Sequence, residues 1–191
     1  MLNRSVQVFD SHADADQADK EFWWAQTPEA RLQHLLLLRR INYGPDRVSS
    51  GLHEFLRLLH DHEVDYLLVG GFAVALHGYA RTTADIDVWV SRRRENAEKL
   101  VVCLKAFGFD LPELTPEVFE APDRIVRMGE APLRIEVLTD IDGVDFESCR
   151  ARAVLHDLEG ENIRVISLAD LKVNKRAAGR PKDLDDLDHL P

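Results

Sequence analysis

The stretch Tyr66 to Val90, YLLVGGFAVALHGYARTTADIDVWV, constrains the fold of this chain more than any other. An apolar, strand-like run, Tyr66-Leu67-Leu68-Val69, stops at Gly70-Gly71, and a short helical segment to Tyr79 follows. A second strand-like run, Ile86 to Val90, is entered through two acids one residue apart, Asp85 and Asp87. A strand that ends in glycines and feeds a helix lets backbone N–H groups approach an anion, and the helix N-terminus adds partial positive charge. Two acids at alternate positions of a strand point to one face. Carboxylates so placed repel each other unless a cation lies between them, and hard oxygen ligands suit Mg²⁺ completed by water and substrate phosphates. A lone Gly-Gly is ordinarily a turn and a lone Asp-x-Asp ordinarily a solvated strand face. Their pairing is what points to a phosphate cradle beside a metal site.

Such a site calls for a third carboxylate, and the strand-like run Leu133-Arg134-Ile135-Glu136-Val137-Leu138 offers Glu136. It stands between two aliphatic residues where a buried strand prefers a hydrophobe. The alternative is a solvent-facing residue on an edge strand, with Arg134 on the same face as its ion-pair partner. Arg81 and Thr83 immediately precede the acids. Arg81 either touches a phosphate or pairs with Asp85 to hold the loop. Trp89 shares the strand face of the acids and either covers a base or packs; His77, among apolar neighbours, reads as packing. Lys172 and Lys175 fall on one helix face, and Arg180 and Lys182 follow Gly179. This cluster either clamps phosphates or forms a solvated face paired with Asp183 and Asp186.

Around this segment the chain divides into three. Residues 1–26 read as an N-terminal arm, acid-rich and then aromatic at Phe22-Trp23-Trp24, which docks on the domain or on a partner. Residues 27–63 read as a helical extension packing on the core. Its first helix starts at Thr27-Pro28-Glu29 and ends before Gly44-Pro45, and its second carries Leu52, Phe55, Leu56 and Leu59 at helical spacing. Residues 64–191 form the main domain. After Val90 the pattern predicts a helix over 92–107 and a hairpin of strands 124–128 and 133–138 joined by Gly129-Glu130-Ala131-Pro132. It then predicts a short strand at 163–166, a helix from the cap Ser167 to the stop at Gly179, and a last helix from Pro181. That order gives an α/β fold with a small mixed sheet.

Hydrophobic residues make up 45% of the 191, enough for a real core, and the net charge of −10 argues against general binding of duplex DNA. Two cysteines without metal-ligand spacing fit a reducing compartment. The near-apolar run Leu67 to Leu76 is too short to cross a bilayer and the N-terminus lacks a signal-peptide core, so a cytoplasmic protein without a membrane partner is expected.

Three runs carry a family resemblance: Gly70-Gly71 with Arg81-x-Thr83-x-Asp85-x-Asp87, then Glu136 to Phe146, then Leu168 to Asp186 with its Arg180-Pro-Lys182-Asp183 turn. Together they resemble the minimal nucleotidyltransferases of the polymerase-β superfamily. More narrowly, they are similar to small bacterial proteins related to AbiEii-type toxins and MNT-type antitoxins. The resemblance covers Asp65 to the C-terminus, about two-thirds of the chain. It implies a nucleotidyltransferase-like sheet flanked by helices, with Asp85, Asp87 and Glu136 as metal ligands and catalytic residues for Mg²⁺ or Mn²⁺. It implies an NTP, ATP first, held by Gly70, Gly71, Arg81, Thr83, Lys172 and Lys175. The reaction would move an NMP onto a protein or RNA hydroxyl or end and release pyrophosphate, with a toxin, an antitoxin or an RNA as partner. Two departures stand out. Many members have Gly-Ser where this chain has Gly70-Gly71, and the third acid is usually aspartate rather than Glu136. These leave open an alternative: a weakly active or inactive nucleotide-binding module that serves as antitoxin or regulator.

Overall fold

The computed structural model describes residues 12–43, 48–81, 83, 85–129, 134–158 and 160–191. The first eleven residues and most of the Gly129-Glu130-Ala131-Pro132 turn lie outside the described residues. The described residues form a six-stranded sheet flanked by helices, a mixed sheet as the pattern of elements predicts.

Three helices come first: α1 (His12–Ala25), α2 (Pro28–Tyr43) and α3 (Val48–Asp61). Thr27 caps α2 by accepting the Ala30 N–H at 3.2 Å. The α3 stripe of Leu52, Phe55, Leu56 and Leu59 is fully buried. At roughly 1.5–3 kcal/mol for each large apolar side chain removed from water, that stripe fixes the helix on the core. The arm is helical from His12, and its aromatic end docks on the domain itself. Trp24 Nε1 donates to the carbonyl of His189 at 2.7 Å, closing the N-terminal helix onto the C-terminus. Arg31, on α2, is buried and donates to the carbonyl of Leu76 near the end of the helix Gly70–His77, as well as to Trp23 and Gln26 carbonyls in the α1–α2 turn. One guanidinium thus satisfies carbonyls from two helix ends that would otherwise lack donors.

The main domain alternates β1 (Tyr66–Leu68), α4 (Gly70–His77), β2 (Asp85–Val90), α5 (Arg94–Ala106), α6 (Pro116–Glu120), β3 (Ile125–Met128) and β4 (Arg134–Leu138). It continues with α7 (Phe146–Ala151), β5 (Val154–Leu158), β6 (Glu161–Val165), α8 (Leu168–Ala178) and α9 (Pro181–His189). The strand order is β3-β4-β2-β1-β6-β5. β2 is central, antiparallel to β1 and parallel to β4. Its alternation places Ile86, Val88 and Val90 in the core while Asp85 and Asp87 remain half-buried on the opposite face. Trp89 takes the packing alternative: it is buried, donates to the Thr139 carbonyl at 3.2 Å and meets Phe146 edge-on. His77 packs too, with Nε2 2.7 Å from the Ile166 carbonyl.

α8 begins where Ser167 accepts the Asp170 N–H at 3.1 Å, and ends at Gly179 with φ +62. α9 then folds back against α8. Cys103 and Cys149 are buried and unpaired, with burial pushing their thiols up to about 12 and about 11. Among the described residues no helix is long and apolar enough to cross a membrane.

Candidate functional site

The site is set by the close approach of β1, α4 and β2. Val69 N–H donates to the Asp87 carbonyl at 3.0 Å, and the chain then turns through Gly70 at φ +60 into α4. That conformation favours glycine, and space demands it as well: a Cβ on Gly70 would overlap the Asp87 carboxylate. A Cβ on Gly71 would come within 2.6 Å of the Thr83 side chain. The two glycines therefore let the Asp87 carboxylate sit against the start of α4, where the Gly71 N–H favours its charged form. The cradle and the second acid form one unit rather than two neighbouring devices.

β4 supplies the third carboxylate. Its parallel register sets Glu136 opposite Asp87 and Arg134 opposite Asp85. Burial, then the charges of Glu136 and Asp85, push the Asp87 carboxyl up to about 6, against the smaller lowering effects of Lys182 and the Gly71 N–H. Asp87 therefore feels both neighbouring acids. They do not converge on a point: among the described residues no three carboxylate, histidine or cysteine side chains are gathered as a ready-made metal cluster. Two guanidinium groups stand among them. Arg134 grips Asp85 with both arms, Nε to Oδ1 and Nη2 to Oδ2 at 2.6 Å, and its Nε lies 3.9 Å from Glu136. Arg127 on β3, opposite Glu136 in the antiparallel register, reaches it at 2.7–2.8 Å.

These groups line one cavity of about 410 Å³, together with Gly70, Gly71, Arg81, Thr83, Asp140, Asp142, Lys175, Arg180 and Lys182. Its cationic side departs from the phosphate-clamp expectation. Lys175 is only 3% exposed and bridges two fully buried acids, Asp183 at 2.7 Å and Asp186 at 2.8 Å. Asp183 also takes Arg180 at 2.6 Å, and Asp186 takes Arg81 Nη2 at 2.8 Å. Lys175 and Arg81 thus belong to an internal ion network that ties α8 and α9 to the loop before β2. The reason is tertiary: α9 folds onto α8 and seals the lysine against its acids. Arg81 pairs with Asp186, not with Asp85. Lys172, one turn before Lys175, does not line the cavity, and its Nζ donates to the carbonyl of Pro191. Thr83 does line it and donates to the Asp85 carbonyl at 3.3 Å. Lys182, exposed at the start of α9, faces the acids and lowers Asp87.

A family model described as "nucleotidyltransferase of unknown function" (DUF6036) matches residues 50–190. The chain belongs to this family. Its nucleotidyltransferase membership agrees with the resemblance carried by the Gly-Gly and Asp-x-Asp runs. No curated protein matches the chain. Among solved structures, that of a candidate nucleotidyltransferase from Thermotoga maritima is similar at 17% identity, covering 72% of this chain and 88% of that one with a TM-score of 0.48.

Within this nucleotidyltransferase fold, sequence reasoning brought together Gly70, Gly71, Thr83, Asp85, Asp87 and Glu136, and the cavity holds all six. It set no site role on Arg127, and gave Arg134 to Glu136 rather than to Asp85. The β3–β4 hairpin register decides the first pairing and the parallel β2–β4 register the second, and nothing in the local residue pattern states a register. Lys182, which the sequence placed in the basic cluster after Gly179, also lines the cavity.

Proposed function

We propose that the chain is a divalent-metal-dependent nucleotidyltransferase that moves an NMP from an NTP, ATP first, to a hydroxyl or end of a protein or RNA. The observation that carries this reading is the side-by-side placement of Asp85, Asp87 and Glu136 on adjacent parallel strands, lining one cavity at the glycine-opened start of α4. The donor set fits Mg²⁺ or Mn²⁺: three hard oxygen donors, one of them held at a raised pKa by burial and by the other two. Asp85, Asp87 and Glu136 would hold the metal. Bound there, it would supply charge neutralisation at the phosphates and a lowered pKa for the attacking hydroxyl.

The protein's own groups do the rest. Gly70 and Gly71 make the room in which the Asp87 carboxylate and the Thr83 side chain lie against the start of α4, so both groups would face a triphosphate there. Lys182 and the outer face of Arg180 offer cationic contacts to a triphosphate at the cavity rim, one of which, Arg180, is already shared with Asp183. The buried Lys175–Asp183–Asp186–Arg81 network holds that rim at a fixed distance from β2. In-line attack by the acceptor oxygen at the α-phosphorus then forms the new ester, breaks the α–β bridge and releases pyrophosphate.

A second reading has its own observation. Asp85 is fully engaged by Arg134, and the Asp87 carboxylate fills the space over Gly70 at the start of α4. Both favour a module that binds nucleotide but turns it over little and acts by holding a partner, in the manner of an antitoxin or regulator. Phe22, 56% exposed on α1, would be a contact for such a partner, toxin or antitoxin. Two unpaired buried cysteines support a cytoplasmic setting. Incubation with α-labelled NTPs, Mg²⁺, total RNA and candidate partner proteins separates the readings. Label transfer with pyrophosphate release, abolished in Asp85→Asn plus Asp87→Asn with the fold intact, supports the enzyme. Nucleotide binding without pyrophosphate supports the module, and transfer unchanged in the double variant overturns the site.

A further inference from the structure

Arg134 occupies an unusual position. It lies on β4 two residues before the third acid, on the same strand face, and directly opposite Asp85 in the β2–β4 register. Its guanidinium makes a two-armed contact with Asp85 and also approaches Glu136. The planar fork matches a carboxylate in a way a lysine ammonium does not. Both oxygens of the first acid are therefore engaged by a resident cation. The pair is only partly screened, with side chains 31% and 22% exposed.

We infer that Arg134 is the resident counter-ion of the metal site, which a divalent cation must displace from Asp85 and which the nucleotide phosphates then receive. The inference rests on the proposed metal- and nucleotide-binding reading of this cavity, and it adds an order of events to it. A cation arriving alone must break the Arg134–Asp85 contact and leave a guanidinium unpaired beside itself. A cation arriving with a triphosphate leaves Arg134 a new anionic partner on the same side of the cavity. Metal and nucleotide binding are then coupled through one side chain, and by linkage the coupling is reciprocal. Arg127 does not duplicate the role, because it reaches Glu136 from the edge strand and does not touch Asp85.

Arg134 is thus a positioning residue, and its test reads binding rather than turnover. Mn²⁺ is titrated into the full chain and followed by electron paramagnetic resonance, alone and with a non-hydrolysable ATP analogue, for the wild type, Arg134→Gln and Arg134→Lys. Thermal melts of all three confirm that each variant is folded. Without nucleotide, Arg134→Gln is expected to bind Mn²⁺ roughly two- to fivefold more tightly than the wild type, the scale of one partly exposed ion pair that no longer competes. The tightening of Mn²⁺ by the ATP analogue should shrink by a similar factor. Arg134→Lys keeps the charge without the fork and should recover most of the gain. If Arg134→Lys matches the wild type while Arg134→Gln does not, only through-space charge is at work and the displacement role is wrong. If Mn²⁺ binds the wild type and Arg134→Gln equally, the inference fails while the metal site stands. If no protein binds Mn²⁺ even with nucleotide, the underlying reading of the site fails, and the inference with it.

Discussion

Replacing Lys175 with methionine separates a structural lysine from a phosphate ligand. The side chain is 3% exposed and sits between Asp183 and Asp186, both fully buried, at 2.7 and 2.8 Å. Methionine fills similar volume but leaves two buried carboxylates short of a cation. Breaking a buried ion pair by removing one partner costs about 3–5 kcal/mol. Asp183 keeps Arg180 and Asp186 keeps Arg81, so the lower end, about 3 kcal/mol, is expected here. For a chain of this size each kcal/mol moves Tm by roughly 2–4 °C, so the melting point should fall by about 6–12 °C. Burial raises the Asp183 carboxyl, but its hydrogen bonds from Arg180 and Lys175 outweigh that and hold it below the usual range. A depressed folded pKa contributes stability that is present above the unfolded value and lost as pH falls through the folded one. The gap between wild type and Lys175→Met should therefore be full at neutral pH and narrow below about pH 4. Urea unfolding and thermal melts across that range measure it. An unchanged Tm at pH 7 combined with lost nucleotide affinity would refute the reasoning and return Lys175 to the phosphates.

The remaining predictions concern the glycines and the second acid. In EDTA, Asp87→Asn should be more stable than wild type at pH 8, by up to about 3 kcal/mol for a carboxyl raised from 3.8 to about 6. A raised folded pKa means that stability is present below the unfolded value and lost as pH climbs through the folded one, so the gap should close near pH 4; a pH-independent difference in urea midpoints would count against it. Gly70→Ala must place a Cβ on the Asp87 carboxylate at φ +60, so it should lower stability by about 1–3 kcal/mol and weaken Mn²⁺ binding, readable by melts and metal titration. The double variant Asp85→Asn plus Asp87→Asn should lose label transfer while its near-ultraviolet circular dichroism matches the wild type.

Much of this site was legible because it is local. Val69 to Gly71 and Asp85 to Val90 carry their own signals, a glycine stop and a period-two alternation, and Ser167 and Gly179 mark the ends of α8 as capping chemistry dictates. The α3 stripe is equally local, and it lies buried as its spacing requires. The short helices α6 and α7 and the edge strand β5 carry weaker patterns. In β5, Val154 and Leu155 are both substantially exposed, so no alternation marks the strand. The partners of the charged groups were less legible for a different reason. Lys172 and Lys175 look alike on a helical wheel, but only the fold-back of α9 decides that one is sealed against Asp183 and Asp186 while the other meets Pro191. Arg127 and Arg134 reach their acids through strand register, which is a property of two segments together.

The most direct test of the account is anomalous diffraction from crystals grown with Mn²⁺ and a non-hydrolysable ATP analogue. The account predicts a manganese peak bound by Asp85 and Asp87 with Glu136 beside it, the triphosphate over Gly70-Gly71 and towards Lys182, and Arg134 turned from Asp85 to a phosphate oxygen. Nucleotide bound elsewhere, or no manganese among these acids while Arg134 still grips Asp85, would contradict it.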